Sequence, residues 1–168
     1  MRIMRSWVIL AGVLMGASHF VAGGQPRYKV TLQAVQPAAL AKARTYAWIA
    51  GHPSFDKTMH HSIVAAVDRE LGARGFTKLS DGQSDVVVTY DSVSRTNVDV
   101  KAKAAKDGTR PEFPVGTLVV GLSDPVSRRL LFRVRVANIP IDRDPERLEA
   151  AINAVMTAVF DKYPTFHH

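Results

Sequence analysis

The stretch GTLVVGLSDPVSRRLLFRVRV, residues 116–136, reads as two strands around a tight turn. Ser123, Asp124, Pro125 and Val126 carry the turn. Asp-Pro suits type I geometry, because proline presets the backbone dihedral at the second position. Beyond the turn, Arg129, Arg133 and Arg135 alternate with Leu130, Phe132, Val134 and Val136. A period of two gives a strand one apolar and one polar face. The pattern predicts Leu130, Phe132, Val134 and Val136 against a helical layer. Arg129, Arg133 and Arg135 then face water, and Leu131 shares their side. Topology requires a polar side chain there but not arginine. The row is either the solvated face of a sheet or a contact for an anionic surface.

The partners of this hairpin lie on both sides of it. KTMHHSIVAAVDRELGARGF carries Met59, Ile63, Val67 and Leu71 at every fourth position, with Ala66 beside them, which is the stripe of an amphipathic helix. Gly75 stands where a left-handed residue ends a helix. Asp68, Arg69 and Glu70 read as its solvated face. DPERLEAAINAVMTAVFDKYP is a second helix. Asp144 caps it, Pro145 fits its first turn, and Leu148, Ile152, Val155 and Val159 form its apolar stripe. Strands are predicted at residues 28–33, 44–50, 76–79 and 86–93, the last open to continuation into RTNVDV. Pro37 marks a break, and residues 101–114 read as a polar, basic loop. Helices and strands do not alternate regularly, so the class is α+β. The expected architecture is one mostly antiparallel sheet of five to six strands with two helices packed on one face.

Composition narrows the function classes. The chain has 168 residues, of which 46% are hydrophobic and 22% charged, enough to fill the core of a single domain spanning residues 25–168. There is no cysteine, which excludes disulfides, thiolate metal sites and cysteine nucleophiles. Residues 1–24, MRIMRSWVILAGVLMGASHFVAGG, place Arg2 and Arg5 before an apolar run that ends in small residues. That is the layout of a secretory signal peptide, and the run is shorter than the ~20 residues a spanning helix needs. The expected location is the periplasm. The protein is expected to be soluble there, because no cysteine is available for lipidation. The whole chain carries a net charge of +7; without the two leader arginines, 20 basic residues face 15 acidic ones. In an exported protein such a charge suits anionic lipid or an acidic polymer, not nucleic acid.

No residue pattern points to catalysis, a cofactor or a metal. His60 and His61 are adjacent and point about 100° apart on a helix, so they do not share a metal easily. Ser123-Asp124 lacks the surroundings of a nucleophile elbow. Asp91 and Asp99 have no evident partner to perturb them. One constellation is basic. Lys101, Lys103, Lys106 and Arg110, with Arg95, precede the hairpin, and Arg129, Arg133 and Arg135, with Arg128, follow its turn. If loop and hairpin meet, they form a cationic patch for an anionic surface.

The segments TYAWIA, IVAAVDRELGARGF, SDVVVTYDSV, GTLVVGLSDPVSRRLLF and AINAVMTAVFDKYP, in this order and spacing, resemble the bacterial envelope domain-of-unknown-function family numbered 4136. The resemblance runs over residues 28–164. It implies an exported α+β domain, often lipid-anchored, with no established reaction and no catalytic residues to carry over. The chain departs from the pattern in lacking the lipidated cysteine. It has Leu131-Phe132-Arg133 where a tryptophan commonly precedes the basic residue, and Gly121 where an acid is common. Three functions compete. The first is a non-catalytic envelope domain that binds a partner protein or an anionic surface. The second is a carrier holding a small apolar ligand between helices and sheet, with a cavity near Trp48 and Phe132. The third is an unrecognised hydrolase with converging polar groups.

Overall fold

The computed structural model describes residues 28–49, 51, 52, 54, 56–80 and 83–164. The expected signal peptide lies outside them. The described chain runs β1 (Lys29–Val35), α1 (Pro37–Leu40), β2 (Thr45–Trp48), α2 (Lys57–Ala73), β3 (Thr77–Lys78), β4 (Val86–Val98), β5 (Glu112–Ser123), β6 (Leu130–Pro140) and α3 (Pro145–Phe160). The six strands form one sheet in the order β1-β6-β5-β4-β2-β3. The class is α+β.

Two features depart from the expected architecture. The sheet is mixed: β1, β6, β5 and β4 pair antiparallel, whereas β2 pairs parallel with both β4 and β3. The cause is α2, which carries the chain from the end of β2 back to its start, so the next strand enters in the same direction. A third, one-turn helix, α1, follows Gln36. Pro37 presets its first turn and Leu40 is buried beneath it. The Gln36 N–H donates to the Leu131 carbonyl at 2.7 Å and fastens this turn to β6.

The register defines the two faces. Leu32, Val134, Val120 and Tyr90 lie opposite one another across β1, β6, β5 and β4. Val88, Leu122 and Phe132 form the next such row. Apart from Leu32, which is 42% exposed on the edge strand, these side chains share one core cluster with Ile63, Val67 and Leu71 of α2 and with Ile152, Val155, Val159 and Phe160 of α3. Phe132 is fully buried, stacked at 6.1 Å on Phe160 and edge-on to Tyr163 at 5.4 Å. Both helices begin on an aspartate. Asp56 accepts from Met59 N at 2.9 Å, and Asp144 accepts from Glu146 N at 3.0 Å and Arg147 N at 3.5 Å. Gly75, at φ +81°, ends the α2 region in the left-handed conformation that glycine adopts without steric cost.

Two β-bulges in β6 change what alternation alone implies. Ser123 pairs with Leu130 but Leu122 pairs with Phe132, so Leu131 is an extra residue. The slip sends Leu131 into the core, 3% exposed, and turns Leu130 outward at 36%. The sequence pattern had these two leucines reversed. The second bulge leaves Asn138 extra, at φ +61°, between Ala137 and Ile139.

β4 and β5 continue past the rest of the sheet as a two-stranded arm, with Thr96 opposite Pro114 and Val98 opposite Glu112. The segment read as a loop over residues 101–114 is the tip of this arm, and its last three residues belong to β5. No helix among the described residues is long and apolar enough to cross a membrane.

Candidate ligand-binding cleft

α2 and α3 both present their N-terminal halves to the end of the sheet from which the arm leaves, and between them lies an apolar cleft of about 480 Å³. Met59 and Ile63 of α2 form one wall. Leu148, Ile152 and Val155 of α3 form the other. The floor is Leu118 of β5 with Ile139 and Ile141 at the end of β6. The Asn138 bulge contributes directly, because the extra residue resets the alternation so that Ile139 turns inward, 8% exposed. Gly116 leaves space in this floor. A Cβ built there would meet Ile139 Cβ and Ile141 Cδ1 at 3.7 Å, an ordinary contact.

The polar groups of the cleft are Ser54, Asp56, Ser92, Ser94 and Thr117. Four offer hydroxyls, and the fifth is a carboxylate already engaged as the α2 cap. Such a lining suits an uncharged apolar molecule with a hydrogen-bonding end and disfavours an anionic one. The α2 wall is held by Tyr90. Its hydroxyl accepts from Ser54 N at 3.1 Å and meets His60 Nδ1 at 2.5 Å, and its ring packs edge-on to Trp48 at 6.2 Å. Burial holds the Tyr90 phenol above its ordinary range, so it stays a neutral hydrogen-bonding group.

The cleft does not take in Trp48 or Phe132, beside which the cavity of a carrier was expected. Trp48 Nε1 donates to Asp68 Oδ1 at 2.8 Å, and Phe132 is closed under aromatic rings. Asp68 is not a solvated group either. It also accepts from Tyr46 OH and Lys78 Nζ, each at 2.8 Å, tying α2 to β2 and β3. Burial, and then the Asp68 contact, push the Tyr46 phenol well above its ordinary range. Glu70 is buried between the helices, 9% exposed, where it meets Arg74, Arg69 and Thr157. One signal in the sequence pointed to this position. Glu70 falls four residues after Ala66 and three after Val67, on the apolar stripe itself.

The basic residues occupy three places. Arg129 is exposed at the end of the turn between β5 and β6, where Asp124 accepts from Val126 N, Ser127 N and Ser127 Oγ. Hydrogen bonds from Ser127 and Val126 hold the Asp124 carboxyl below its usual range. Arg133 and Arg135 lie on the sheet face away from the core, opposite Gly121 and Val119. Arg133 is half-buried, with Nε enclosed and without a hydrogen-bond partner among the described residues; Arg135 is exposed. Lys101, Lys103, Lys106 and Arg110 are all exposed at the tip of the arm. The tip and the β5–β6 turn sit at opposite ends of the 12-residue β5, roughly 35 Å apart at about 3.4 Å of rise per residue. Loop and turn therefore do not form one patch. Arg95 turns toward the sheet, donating to Asn138 Oδ1 at 2.9 Å. His52 is paired with Asp91 at 3.0 Å, so His52 and His60 are engaged by different partners.

The fold and cleft together define an α+β domain with a mixed six-stranded sheet and an apolar opening at the N-terminal ends of its two long helices. The chain belongs to the family Domain of unknown function (DUF4136), which matches residues 27–165. No curated protein matches it. Among solved structures, a PDZ domain protein from Parabacteroides distasonis is similar over 85% of this chain, with a TM-score of 0.54 and 13% identity. This chain spans about a third of that protein, 36% of its length. A PelC dodecamer from Paraburkholderia phytofirmans is similar over 79% of this chain and 96% of its own, with a TM-score of 0.50 and 13% identity. At such identities the likeness is one of fold.

Proposed function

We propose that this protein is a non-catalytic, exported domain of the cell envelope that holds an uncharged, apolar small molecule in the cleft between helices and sheet. The cleft carries this reading. Its volume falls within the ordinary range of small-molecule sites, and apolar walls with a few hydroxyls at one side are the usual composition of such sites. Each methylene that leaves water for such walls contributes about 0.8 kcal/mol, so a modest aliphatic or aromatic ligand binds without any charged anchor.

The test is a fluorescence titration with N-phenyl-1-naphthylamine, an uncharged aromatic probe. The wild-type protein is expected to bind it with an emission increase. Gly116→Phe grows a ring from the cleft floor, and it is expected to weaken the probe at least tenfold, about 1.4 kcal/mol. Its melting temperature is expected to stay close to that of the wild type, because the added ring fills existing space. Absence of probe binding, or equal binding by Gly116→Phe, overturns the reading.

Export rests on the cationic, apolar and small-residue layout of residues 1–24. Intact mass of the protein purified from cells is expected to show a new amino terminus between Gly23 and Gln25. Recovery of the full-length mass from the cytoplasm refutes it.

A further inference from the structure

The tip of the β4–β5 arm combines two features that rarely coexist on a surface exposed only to water. Val100 is 73% exposed, Val98 48% and Phe113 43%, so three of the seven exposed large apolar side chains in the described residues gather at this one end. Phe113 lies opposite Asn97 and Val98 opposite Glu112, so the two flank the end of the arm on its two faces with Val100 beyond them, and apolar side chains concentrated at one end mark a contact. Around them stand Lys101, Lys103 and Lys106, none of which has an ion-pair partner among the described residues.

The tip is also internally organised. Asp99 N donates to the Pro111 carbonyl at 2.8 Å, closing the arm. The Asp99 carboxylate accepts from Lys101 N at 3.0 Å and Ala102 N at 3.2 Å. Arg110 Nη1 donates to the carbonyls of Val100 and Ala102, and Asp107 accepts from Thr109 N and Oγ1. Gly108, at φ +84°, makes the final turn. Asp99, Asp107 and Arg110 are thus engaged within the loop, while three lysines, three apolar side chains and the exposed Glu112 face outward, so the outward charge stays positive. Backbone groups satisfied inside the loop lower the cost of bringing it to an apolar boundary.

We propose that the tip of the β4–β5 arm docks the protein on an anionic lipid bilayer, with Val98, Val100 and Phe113 entering the interface and Lys101, Lys103 and Lys106 held at the level of the head groups. Charge complementarity selects the anionic surface, and the apolar cluster selects a bilayer over a dissolved polyanion, which offers nothing for valine and phenylalanine to enter. The arginines at the turn and on the outer sheet face are not part of this contact. None of the six tip residues lines the cleft, so the docking surface is separate from the proposed ligand site.

The experiment is co-sedimentation of the protein, as cells process it, with vesicles of phosphatidylglycerol in phosphatidylcholine and with vesicles of phosphatidylcholine alone. Binding is expected to the first and to be at least tenfold weaker to the second. The triple variant Lys101→Gln, Lys103→Gln, Lys106→Gln is expected to lose about ten- to a hundredfold. The double variant Val100→Ser, Phe113→Ser is expected to lose about tenfold, and this loss persists at high salt because it is not electrostatic. The triple variant Arg129→Gln, Arg133→Gln, Arg135→Gln is expected to bind within about twofold of the wild type. Cleft-probe binding by every variant reports that it is folded, and it also separates the two proposals. If the tip variants keep vesicle affinity, if the arginine variant loses it, or if an oligonucleotide is bound as tightly as the vesicles, the docking proposal fails whatever the cleft holds. Should the probe bind to no form of the protein, a circular-dichroism melt establishes folding instead.

Discussion

Val134→Asp is expected to unfold the domain, while Arg135→Asp, one residue further along β6, is expected to leave it folded. Val134 is fully buried, with Val120 and Leu32 opposite it on the neighbouring strands. A carboxylate placed there has no hydrogen-bond donor within the core and no route to water. Burying an unpaired charge costs several kcal/mol, and it adds to the lost packing of valine. A loss of about 4 kcal/mol or more is a large fraction of the 5–15 kcal/mol that holds a typical domain together. Arg135 points to the other side of the same strand and is exposed opposite Val119 and Thr31. Its replacement is expected to change stability by under about 1 kcal/mol. Urea unfolding of the two variants measures the difference. Similar midpoints would show that the face assignment is wrong.

The second large effect is expected at Glu70. Its carboxylate joins α2 to α3 through Thr157 Oγ1 at 2.9 Å and pairs with Arg74 Nη1 at 2.8 Å and Arg69 Nη2 at 3.3 Å. Arg74 in turn lies 5.2 Å above the Phe160 ring. Burial pushes the Glu70 carboxyl up, but hydrogen bonds from Arg74, Thr157 and Arg69 outweigh it and hold the group below the usual carboxylate range. Removing the acceptor leaves these donors without their partner in a confined place. Glu70→Ala is therefore expected to cost about 2–4 kcal/mol.

The pH dependence has a definite sign. A carboxylate with a depressed pKa binds its proton later in the folded than in the unfolded chain, so it stabilises the fold above the ordinary glutamate pKa of about 4.3. That contribution declines as the pH falls through the ordinary value and is gone below the depressed one. Asp85 shares this behaviour, because Arg44 N and then the Thr45 hydroxyl and N–H donate to it. The comparison that isolates Glu70 is thus wild type against Glu70→Gln. The difference in unfolding free energy is expected to be constant from pH 7 to about pH 5 and to shrink on further acidification. A difference independent of pH would assign Glu70 a packing role only.

The two long helices and the β4, β5 and β6 strands were legible because each is a local pattern. Ile63, Val67 and Leu71 recur at helical spacing, Asp144-Pro145 starts a helix by its own chemistry, and Val134 and Val136 alternate with arginines. The α+β class followed from their order, and the resemblance to the DUF4136 family rested on the same segments. The parallel pairing of β2 was not legible, because strand direction depends on where α2 returns the chain. The exchange of Leu130 and Leu131 was hidden for a related reason. A bulge is a property of two strands in register, and a single strand read alone shows only alternation.

For the cleft the division is sharper. Its lining comes from α2, β4, β5, β6 and α3, segments that are distant in the chain and meet only in the folded sheet. No local spacing marks Gly116 or Ile139 as neighbours of Leu148 and Ile152. The basic residues show the converse. Their abundance was evident in the sequence, but the length of β5 separates Lys101, Lys103, Lys106 and Arg110 from Arg129. Composition and periodicity are local and additive, so the chain alone determined its class, its two long helices and its positive charge. Which charges stand together, which acids are buried and where an opening remains depend on strand direction and register, and only the tertiary structure decided them.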